Sequence, residues 1–596
     1  MGMMAEHFSF LLFRTCLVGC LLGATATLYF LFGLAGQVQN LFVNLGVAAI
    51  LSVAALFLLY HFFSAAWDTN WVGRVIWGAI LFILVLEMVL GLLPPIARDE
   101  LNHHLAMPRL YAQAGRIIEV PFAPYAYYPM LLDMLYTPWV YWGYDFVPKL
   151  IHALFGFLTG LLLYAYLARR MNGVYGLLGW FFFISTPAIL RLSHWAYIDL
   201  GITFYSTASM LCLLRWREER DALKWLALAA LSLGFALATK PNGLVAALLL
   251  SVLFMLAAVK PPIKSRIGLA CQLLLFGALT LLPFLPWLTK NWLQTGNPFY
   301  PLLGNWFAAK TSVVTETASF GGLGIFEKRA LLYGESLWQI IGLPVRLFFS
   351  GQDDKPQYFD GVLTPVLILF LPWAFKGKWL EEKKFLASYA VLFFLYALFL
   401  VDLRIRYILL IVPPLVVLLV YGIFNVYLRI KQPAVLFAGL VFFAAWHGTY
   451  LWQYLWASAP FAYLQGIESR DAYLTRMLPD YSALQYVSRT TPRTAKIYLL
   501  FIGRRAYYCD RDYFHDGGEL PGFLLGAIRA AQDPAQIEQA LKRENITHLL
   551  VREDLLKGFL SNNLTSEQAK LWNEFAASRL KLAFHDRGHS VFEIHG

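Results

Sequence analysis

The sequence predicts a polytopic α-helical membrane protein with about 13 transmembrane helices and a small C-terminal α/β domain. Of the 596 residues, 59% are hydrophobic and only 14% are charged, whereas soluble proteins have roughly 25% charged residues. Apolar runs of about 20 residues, the length that crosses a bilayer, recur along most of the chain. These runs lack the polar outer face that the helices of a large soluble core would carry.

The apolar runs define the predicted spans in order. The first extends from Phe8 to Leu34, which is too long for the apolar core of a signal peptide, so we expect a retained first span. The spans are predicted at residues 8–34, 41–66, 74–94, 146–168, 174–191, 198–216, 223–239, 243–259, 267–288, 361–375, 385–402, 407–428 and 433–456.

Lysine and arginine are concentrated in alternate short loops, which is the positive-inside pattern. It predicts a cytoplasmic N-terminus and, with an odd number of spans, a C-terminal domain on the opposite side. The net charge of +11 is then an orientation signal, and nucleic acid is excluded as a partner. The basic residues predicted inside are Arg169, Arg170, Arg215, Arg217, Arg220, Lys224, Lys260, Lys264, Arg266, Lys376, Lys378, Lys383, Lys384, Arg429 and Lys431.

Two long outer loops, at about residues 95–145 and 289–360, interrupt the spans of a transmembrane domain over residues 1–456. The stretch 127–142 is aromatic but contains two prolines, which favours a helix in the membrane interface over a crossing one. The stretch 337–349 is also partly apolar.

Residues 457–596 are predicted to form a soluble α/β domain outside the cytoplasm. Its strands are predicted at 496–502, 546–551 and 591–594, and its helices at 520–531, 534–544 and 566–580. Since this segment has no glycine-rich phosphate loop, it is interpreted as a lid or acceptor platform and not as a second active site.

On this topology, many ionisable residues lie at the outer ends of spans. Charge within the hydrocarbon costs roughly 2.5–3.5 kcal/mol at a helix centre, so such residues are candidates for function. Near an interface long side chains can reach water, so one such residue alone is weak evidence. A site is favoured because all of these residues lie on the same, outer side. They are Asp99, Glu100, His103, His104, Arg109, His194, Asp199, Lys240, Lys290, Asp402, Arg404 and Arg406.

Asp99 and Glu100 form an acidic pair after the prolines that end the third span. Adjacent helical residues point about 100° apart, so one carboxylate can face a cleft while the other fastens the loop. The alternative is a pair of solvated carboxylates that favour the helix dipole. His103 and His104 follow at helical i,i+4 spacing from the pair. Metal ligation by these histidines, His194 and the carboxylates is an alternative, but no compact ligand motif is present and no cofactor is expected.

Asp199 and the basic residues Lys240, Arg404 and Arg406 stand at the mouths of other spans. The structural alternatives are a helix N-cap for Asp199 and a lysine that reaches the interface for Lys240. Arginine binds phosphate with two hydrogen bonds, and lysine adds a point charge. Together with a carboxylate that removes a proton from an acceptor hydroxyl, these cations predict transfer from a lipid-linked phosphate donor at the membrane surface.

A set of short motifs in this order resembles the GT-C superfamily of glycosyltransferases, and most closely the protein O-mannosyltransferases and lipid A aminoarabinose transferases. The motifs are Arg98-Asp-Glu100, the segment 128–136, Ala196-Tyr-Ile-Asp199, Ala238-Thr-Lys240, the segment 291–301 and Arg406-Tyr407.

The resemblance implies an inverting transferase that uses a polyprenyl-phosphate sugar, with undecaprenyl phosphate as the carrier in a bacterial inner membrane. It implies that Asp99 is the base, that Glu100 and Asp199 support it, and that Lys240 and Arg406 contact the donor phosphate. Arg404 and Lys290 are further phosphate candidates, and the cleft residues are His103, His104, His194, Tyr128 and Tyr407.

The expected partners are this sugar donor, membrane lipids and an acceptor that is a lipid, a glycan or a protein. A polysaccharide ligase or polymerase is one alternative, and it would rely on arginine and histidine more than on a carboxylate base. A lipid-sugar transporter is the other. It would require charged or broken helices near the bilayer midplane and inverted repeats, whereas the charges here lie at outer ends.

Overall fold

The computed structural model describes residues 2–595 except 68, 221, 260–265, 308–323, 401–402 and 517–519. Asp402, Lys260 and Lys264 therefore lie outside the described residues. The chain divides into two compact units. The first, here called the helical unit, contains residues 1–93, 129–289 and 320–460. The second, here called the sheet unit, contains residues 94–128, 290–319 and 461–596.

The helical unit is built from α-helices and two short 3₁₀ turns. Its helices are Gly2–Leu34, Leu41–Trp67, Trp71–Gly91, Leu131–Tyr141, Val147–Arg170, Gly173–Ile184, Pro187–Ser193, Asp199–Glu218, Leu223–Leu237, Asn242–Ala258, Arg266–Leu281, Ile325–Tyr333, Leu337–Ile341, Leu343–Phe349, Val366–Leu369, Leu371–Ala374, Leu380–Leu400, Val412–Tyr427 and Pro433–Ser458. The 3₁₀ turns are Pro356–Tyr358 and Ile405–Ile411, and the helix Leu285–Thr295 crosses the boundary between the units.

The helices confirm a multi-pass membrane protein, but not the number of 13 spans. Among the described residues, six helices are long and apolar enough to cross a membrane, or up to eight if each of two bent pairs is one span. The predicted span 174–191 is such a pair, with a bend of 70° before Pro187. The predicted span 361–375 is wrong as a continuous helix, because Pro365 and Pro372 begin separate single turns. Proline lacks the N–H and clashes with the preceding turn.

Small residues allow the helices of this unit to approach closely. A Cβ atom at Gly160 would lie 1.9 Å from the ring of Trp180, so only glycine fits between helices Val147–Arg170 and Gly173–Ile184. Trp180 is fully buried at this contact. The stretch predicted to lie in the interface contains the helix Leu131–Tyr141, whose residues are almost all buried.

The sheet unit combines the first outer loop with the C-terminal domain. Its helical elements are a π-helical turn at Glu100–His104, a 3₁₀ turn at Pro124–Tyr127, and the α-helices Ala106–Ala114, Pro460–Leu464, Arg470–Met477, Tyr481–Thr490, Gly522–Ala530, Pro534–Arg543, Glu553–Asn563 and Ser566–Arg579. Its strands are β1 (Lys496–Leu500), β2 (Asp512–Phe514), β3 (His548–Arg552), β4 (Leu580–Asp586) and β5 (His589–Ile594).

The five strands form one sheet in the order β2-β1-β3-β5-β4. β1 pairs in parallel with β2 and β3, whereas β5 is antiparallel to β3 and β4. Alternate residues of β1 enter different hydrophobic clusters, Tyr498 and Leu500 one cluster, Ile497 and Leu499 the other. Because successive strand residues point to opposite faces, both faces of the sheet are covered.

All three predicted strands and all three predicted helices of the C-terminal domain are present. The structure adds β2, β4 and the helices Pro460–Leu464, Arg470–Met477, Tyr481–Thr490 and Glu553–Asn563. β4 carries an alternating pattern at Leu580, Leu582 and Phe584, which is the signal of a strand. β2 has only three residues, too few for such a pattern.

Candidate active site

The acidic pair lies at the start of the π-helical turn in the sheet unit, and its two carboxylates have different surroundings. Glu100 is fully buried, and its Oε2 accepts hydrogen bonds from the backbone N–H groups of Ile96 (3.0 Å) and Ala97 (2.8 Å). Asp99 is half-buried. Glu100 therefore fastens the turn that carries Asp99, which matches the expectation that one carboxylate holds the loop.

Aromatic side chains pack together on the π-helical turn that follows Asp99. His103 stacks on Tyr125 with ring centroids 4.9 Å apart, and His104 lies 4.0 Å from His103. The charge of Asp99 acts on the Tyr125 hydroxyl. Burial raises the pKa of Tyr125, so this phenol stays protonated at neutral pH. π-Helical turns are rare and frequently mark functional sites.

Two further predicted residues lie in the sheet unit. The buried Lys290 donates a hydrogen bond to the carbonyl oxygen of Ala126 (2.6 Å), and its ammonium group lies 5.7 Å from the ring centroid of Tyr127. Tyr128 follows in the chain and is half-buried. Lys290 thereby joins the end of the first outer loop to the start of the second.

In the helical unit, Asp199 and Lys240 form an ion pair at the start of helix Asp199–Glu218. Lys240 Nζ lies 2.6 Å from Asp199 Oδ1. Asp199 is buried, and its Oδ2 has no hydrogen-bond partner among the residues that the structure describes. Lys240 is partly exposed and lies 5.4 Å from the ring centroid of Tyr407. The pair leaves part of the ammonium group of Lys240 exposed to a ligand.

The two arginines of the basic cluster have different neighbours. The guanidinium of Arg406 lies 5.7 Å from the ring centroid of Tyr197 and 5.1 Å from that of Tyr407, and its charge acts on Asp199. Arg404 also lies 6.0 Å from the ring centroid of Tyr407, but its ion pair is with Asp360, at 3.6 Å. Arg406 thus belongs to the cluster around Asp199 and Lys240, which we call the cationic cluster.

Backbone contacts fix the positions of the cationic cluster. His152 is buried, its Nδ1 lies 2.8 Å from the carbonyl oxygens of both Leu192 and Trp195, and its Nε2 accepts a hydrogen bond from the N–H of Leu200. It therefore holds the turn that ends at Asp199. On the lysine side, the N–H of Leu131 donates to the carbonyl oxygen of Ala238, two residues before Lys240.

His194, a predicted cleft residue, is buried and its Nδ1 lies 3.0 Å from Oε2 of Glu87. Its ring also contacts Tyr454, with centroids 4.3 Å apart. His194 Nε2 and Glu87 Oε1 are buried and have no hydrogen-bond partner among the described residues. This geometry gives His194 a role in packing within the helical unit.

The structure adds residues to the site that the sequence analysis did not include. They are Glu87, which packs with His194, and Tyr125, His152 and Arg504. Glu87 had a clear signal, since it is the one carboxylate within the apolar run 74–94. The others carry no local signal, because each acts through a contact with a distant part of the chain.

The chemistry available in the two units is complementary. The cationic cluster can bind an anionic group such as a phosphate, and the acidic turn presents a carboxylate that can accept a proton. Among the described residues, no group of three His, Cys, Asp or Glu side chains could hold a metal ion.

Comparisons with known proteins show a similarity to one family over part of the chain. Residues 101–294 match the model of the family described as "Dolichyl-phosphate-mannose-protein mannosyltransferase". No curated protein matches the sequence significantly.

Several solved structures are similar to this chain, and one of them shares its fold with a TM-score above 0.5. The crystal structure of ArnT from Cupriavidus metallidurans in the apo state is similar with a TM-score of 0.54 and 14% identity, over 87% of this chain and 97% of that chain. The same protein bound to undecaprenyl phosphate gives a TM-score of 0.49 and 13% identity, over 88% and 98% of the two chains. The archaeal oligosaccharyltransferase AglB from Archaeoglobus fulgidus gives a TM-score of 0.47 and 12% identity, over 88% of this chain and 75% of that chain. Residues 101–294 are thus similar to this mannosyltransferase family, and the chain shares a fold with apo ArnT over most of its length.

Proposed function

We propose that the protein transfers a sugar from a polyprenyl-phosphate donor to an acceptor hydroxyl, with inversion at the anomeric carbon. The observation that carries this proposal is the cationic cluster, in which Lys240 and Arg406 surround Asp199 over the rings of two tyrosines. The family whose model matches acts with dolichyl-phosphate mannose, which is a sugar on a polyprenyl phosphate.

The donor phosphate is the ligand proposed for the cationic cluster. Asp199 holds Lys240 in place, and Arg406 is oriented by its contacts with Tyr197 and Tyr407. As the bond between the anomeric carbon and the phosphate oxygen breaks, negative charge grows on the phosphate, and fixed cations stabilise it. Arg404 and Lys290 are further phosphate-binding candidates, although Arg404 already lies near Asp360.

Asp99 is the proposed base. Its carboxylate removes the proton from the acceptor hydroxyl while the acceptor oxygen bonds to the anomeric carbon and the polyprenyl phosphate leaves. A single displacement of this kind inverts the configuration, and the phosphate leaves without a separate acid. Glu100 does not share this task, since its carboxylate is buried and bonded to two backbone N–H groups.

The proposal includes a location and a substrate class. The chain acts in the inner membrane of a bacterium with the C-terminal domain on the periplasmic side, as the distribution of lysine and arginine predicts. The donor carries a hexose or pentose on undecaprenyl phosphate, and no cofactor takes part. The acceptor is a lipid, a glycan or a protein. The proposed substrate contacts are His103, His104 and Tyr128 in the sheet unit and Tyr407 in the helical unit.

The test uses the purified protein with synthetic polyprenyl-phosphate sugars and measures sugar transfer by the release of polyprenyl phosphate. Asp99→Asn should lower kcat by about 10²–10⁴-fold, the usual contribution of a general base, with little change in donor binding. Asp554→Asn is the matched control, because Asp554 is an exposed carboxylate of the sheet unit.

Three outcomes would contradict the proposal. Full activity in Asp99→Asn would remove Asp99 as the base. Movement of intact lipid-linked sugar across vesicles without transfer would show a transporter, and transfer only from a lipid-pyrophosphate donor would show a polysaccharide ligase or polymerase.

A further inference from the structure

The acidic loop and the C-terminal domain share one hydrophobic core, although almost 400 residues separate them in sequence. Leu110 and Phe122 of the first outer loop pack against the cluster that includes Ala506, Cys509 and Tyr513. The ring of Phe122 lies 5.7 Å from that of Tyr513. Because apolar burial is the main source of stability in such a core, the loop that carries Asp99 depends on the C-terminal domain for its conformation.

Hydrogen bonds attach the acidic turn to one segment of the C-terminal domain, residues 501–511, which we call the clamp segment. The hydroxyl of Tyr508 donates to the carbonyl oxygen of Pro95 (2.8 Å), and the N–H of Tyr507 donates to that of Leu101 (3.0 Å). Arg109 donates to the carbonyl oxygen of Tyr507 and forms an ion pair with Asp510. The clamp segment therefore contacts the chain both before and after Asp99.

The clamp segment also brings a cation to Tyr125. Its backbone is left-handed at Phe501 (φ 58°), Gly503 (φ 68°) and Arg504 (φ 59°), and left-handed conformations in non-glycine residues are strained and concentrate at functional sites. This turn directs the guanidinium of Arg504 to the hydroxyl of Tyr125, with its central carbon 5.4 Å from the ring centroid.

Several charged and polar groups from both parts of the sheet unit act on Tyr125. Arg504, Asp99 and Arg98 act on it electrostatically, Asn102 hydrogen-bonds to it, and His103 stacks on its ring. Asp99 and Arg504 thus share one small polar environment, although they come from opposite ends of the chain.

We infer that Arg504 of the C-terminal domain is a positioning residue for the acidic turn: it holds Tyr125 beside Asp99 and supplies a positive charge there. The C-terminal domain is then a structural part of the acceptor side and not only a lid or platform. The effect on catalysis rests on the proposed function, whereas the effect on the conformation of the acidic turn does not.

Hydrogen exchange tests the conformational part in the full-length protein without any substrate. Tyr508→Phe removes the hydroxyl that binds Pro95, and exchange of the backbone amides of residues 96–101 should become about fivefold faster, as expected when one hydrogen bond is lost. Tyr486→Phe is the control, because Tyr486 stacks on Phe584 in the same domain. Equal exchange in Tyr508→Phe and the wild type would overturn the clamp.

Sugar transfer tests the role of Arg504. Arg504→Gln should lower kcat by about 10- to 100-fold through misplacement of the acidic turn, leave the donor KM unchanged, and shift the acidic limb of the pH profile to higher pH. That shift follows because a cation near a carboxylate favours its ionised form. Arg504→Lys should restore the acidic limb of the pH profile. The control is Arg552→Gln, which changes an exposed arginine paired with Asp554 and should alter neither kcat nor the pH profile.

The outcomes separate the two proposals. The positioning role would be overturned if Arg504→Gln left both kcat and the pH profile unchanged. Normal hydrogen-exchange protection of β1 would show that this variant is folded. A wild-type protein that transfers no sugar would overturn the proposed function, while hydrogen exchange in Arg504→Gln would still decide whether Arg504 holds the acidic turn.

Discussion

At the scale of single residues, the candidate site depends on charges that neutralise one another. Asp199 is buried and pairs with Lys240 at 2.6 Å. A buried ion pair gains little stability over apolar residues, but the loss of one partner leaves an uncompensated buried charge. The pair is thus better explained by ligand binding than by stability, because it keeps an ammonium group in place until an anion arrives.

The pair can be tested with a double-mutant cycle. Lys240→Met should destabilise the protein by about 3–5 kcal/mol, because it leaves the carboxylate of Asp199 buried without its cation. The double variant Asp199→Asn/Lys240→Met should recover most of this loss. Thermal unfolding in detergent measures both, and strictly additive effects of the two substitutions would argue against the pair.

The neighbours of the two arginines predict different effects on the donor. Arg406→Gln should raise the donor KM about tenfold, the factor that corresponds to one charge-assisted hydrogen bond. Arg404→Gln should raise it less than about threefold, because Arg404 lies near Asp360 outside the cationic cluster. Kinetics with a polyprenyl-phosphate sugar provide the measurement, and the reverse order of effects would move the phosphate site to Arg404.

At the scale of elements, irregular turns carry the functional side chains. Asp99 stands before a π-helical turn, Asp199 follows the turn between Pro187–Ser193 and Asp199–Glu218, and Arg406 lies in a 3₁₀ turn. Irregular backbone inside an apolar protein must have its polar groups bonded by side chains. Glu100 and His152 perform this task for the first two turns.

The turn before Asp199 provides the prediction for this scale. His152→Leu should destabilise the protein by about 1–3 kcal/mol, since it leaves buried backbone groups at Trp195 and Leu200 without their partner. It should also raise the donor KM, because Asp199 and Lys240 lose their position. Thr159→Val on the same helix is the control, since its hydroxyl bonds only to its own helix. A stable variant with a normal donor KM would show that His152 does not position the cluster.

At the scale of the whole molecule, the two units are stabilised in different ways. The helical unit has long apolar helices that can cross a membrane, whereas the sheet unit has a covered five-stranded sheet and buried titratable groups. Burial lowers the pKa of His515 in the sheet unit to about 4. Its Nδ1 donates to the backbone carbonyl oxygen of Asp516, and its ring contacts Phe122.

His515 makes the stability of the sheet unit depend on pH. The folded protein holds it neutral down to about pH 4, whereas the unfolded chain protonates it below its ordinary pKa of 6.5. Stability is therefore lost as the pH falls from about 6.5 to 4, by about 3 kcal/mol in total. Unfolding midpoints between pH 7 and 4.5 should fall less steeply in His515→Phe than in the wild type, and equal slopes would remove His515 as the cause.

The sequence alone determined the class of the protein and the residue types of its site. A low charge content and repeated apolar runs are properties of the composition, and they indicate that the chain is surrounded by lipid. Asp99, Asp199, Lys240 and Arg406 became candidates because charges at the ends of apolar runs are costly and therefore conspicuous. The strands of the C-terminal domain were found because their patterns are local.

The tertiary structure decided which of these residues meet. Arg404 and Arg406 are equivalent in sequence, and only packing places one near Asp199 and the other near Asp360. Arg504 reaches Tyr125 across 379 positions of the chain, and no local pattern records such a contact. Side-chain direction depends on backbone turns and on distant partners. Candidates for chemistry can therefore be read from the sequence, whereas their neighbours are assigned only in the folded chain.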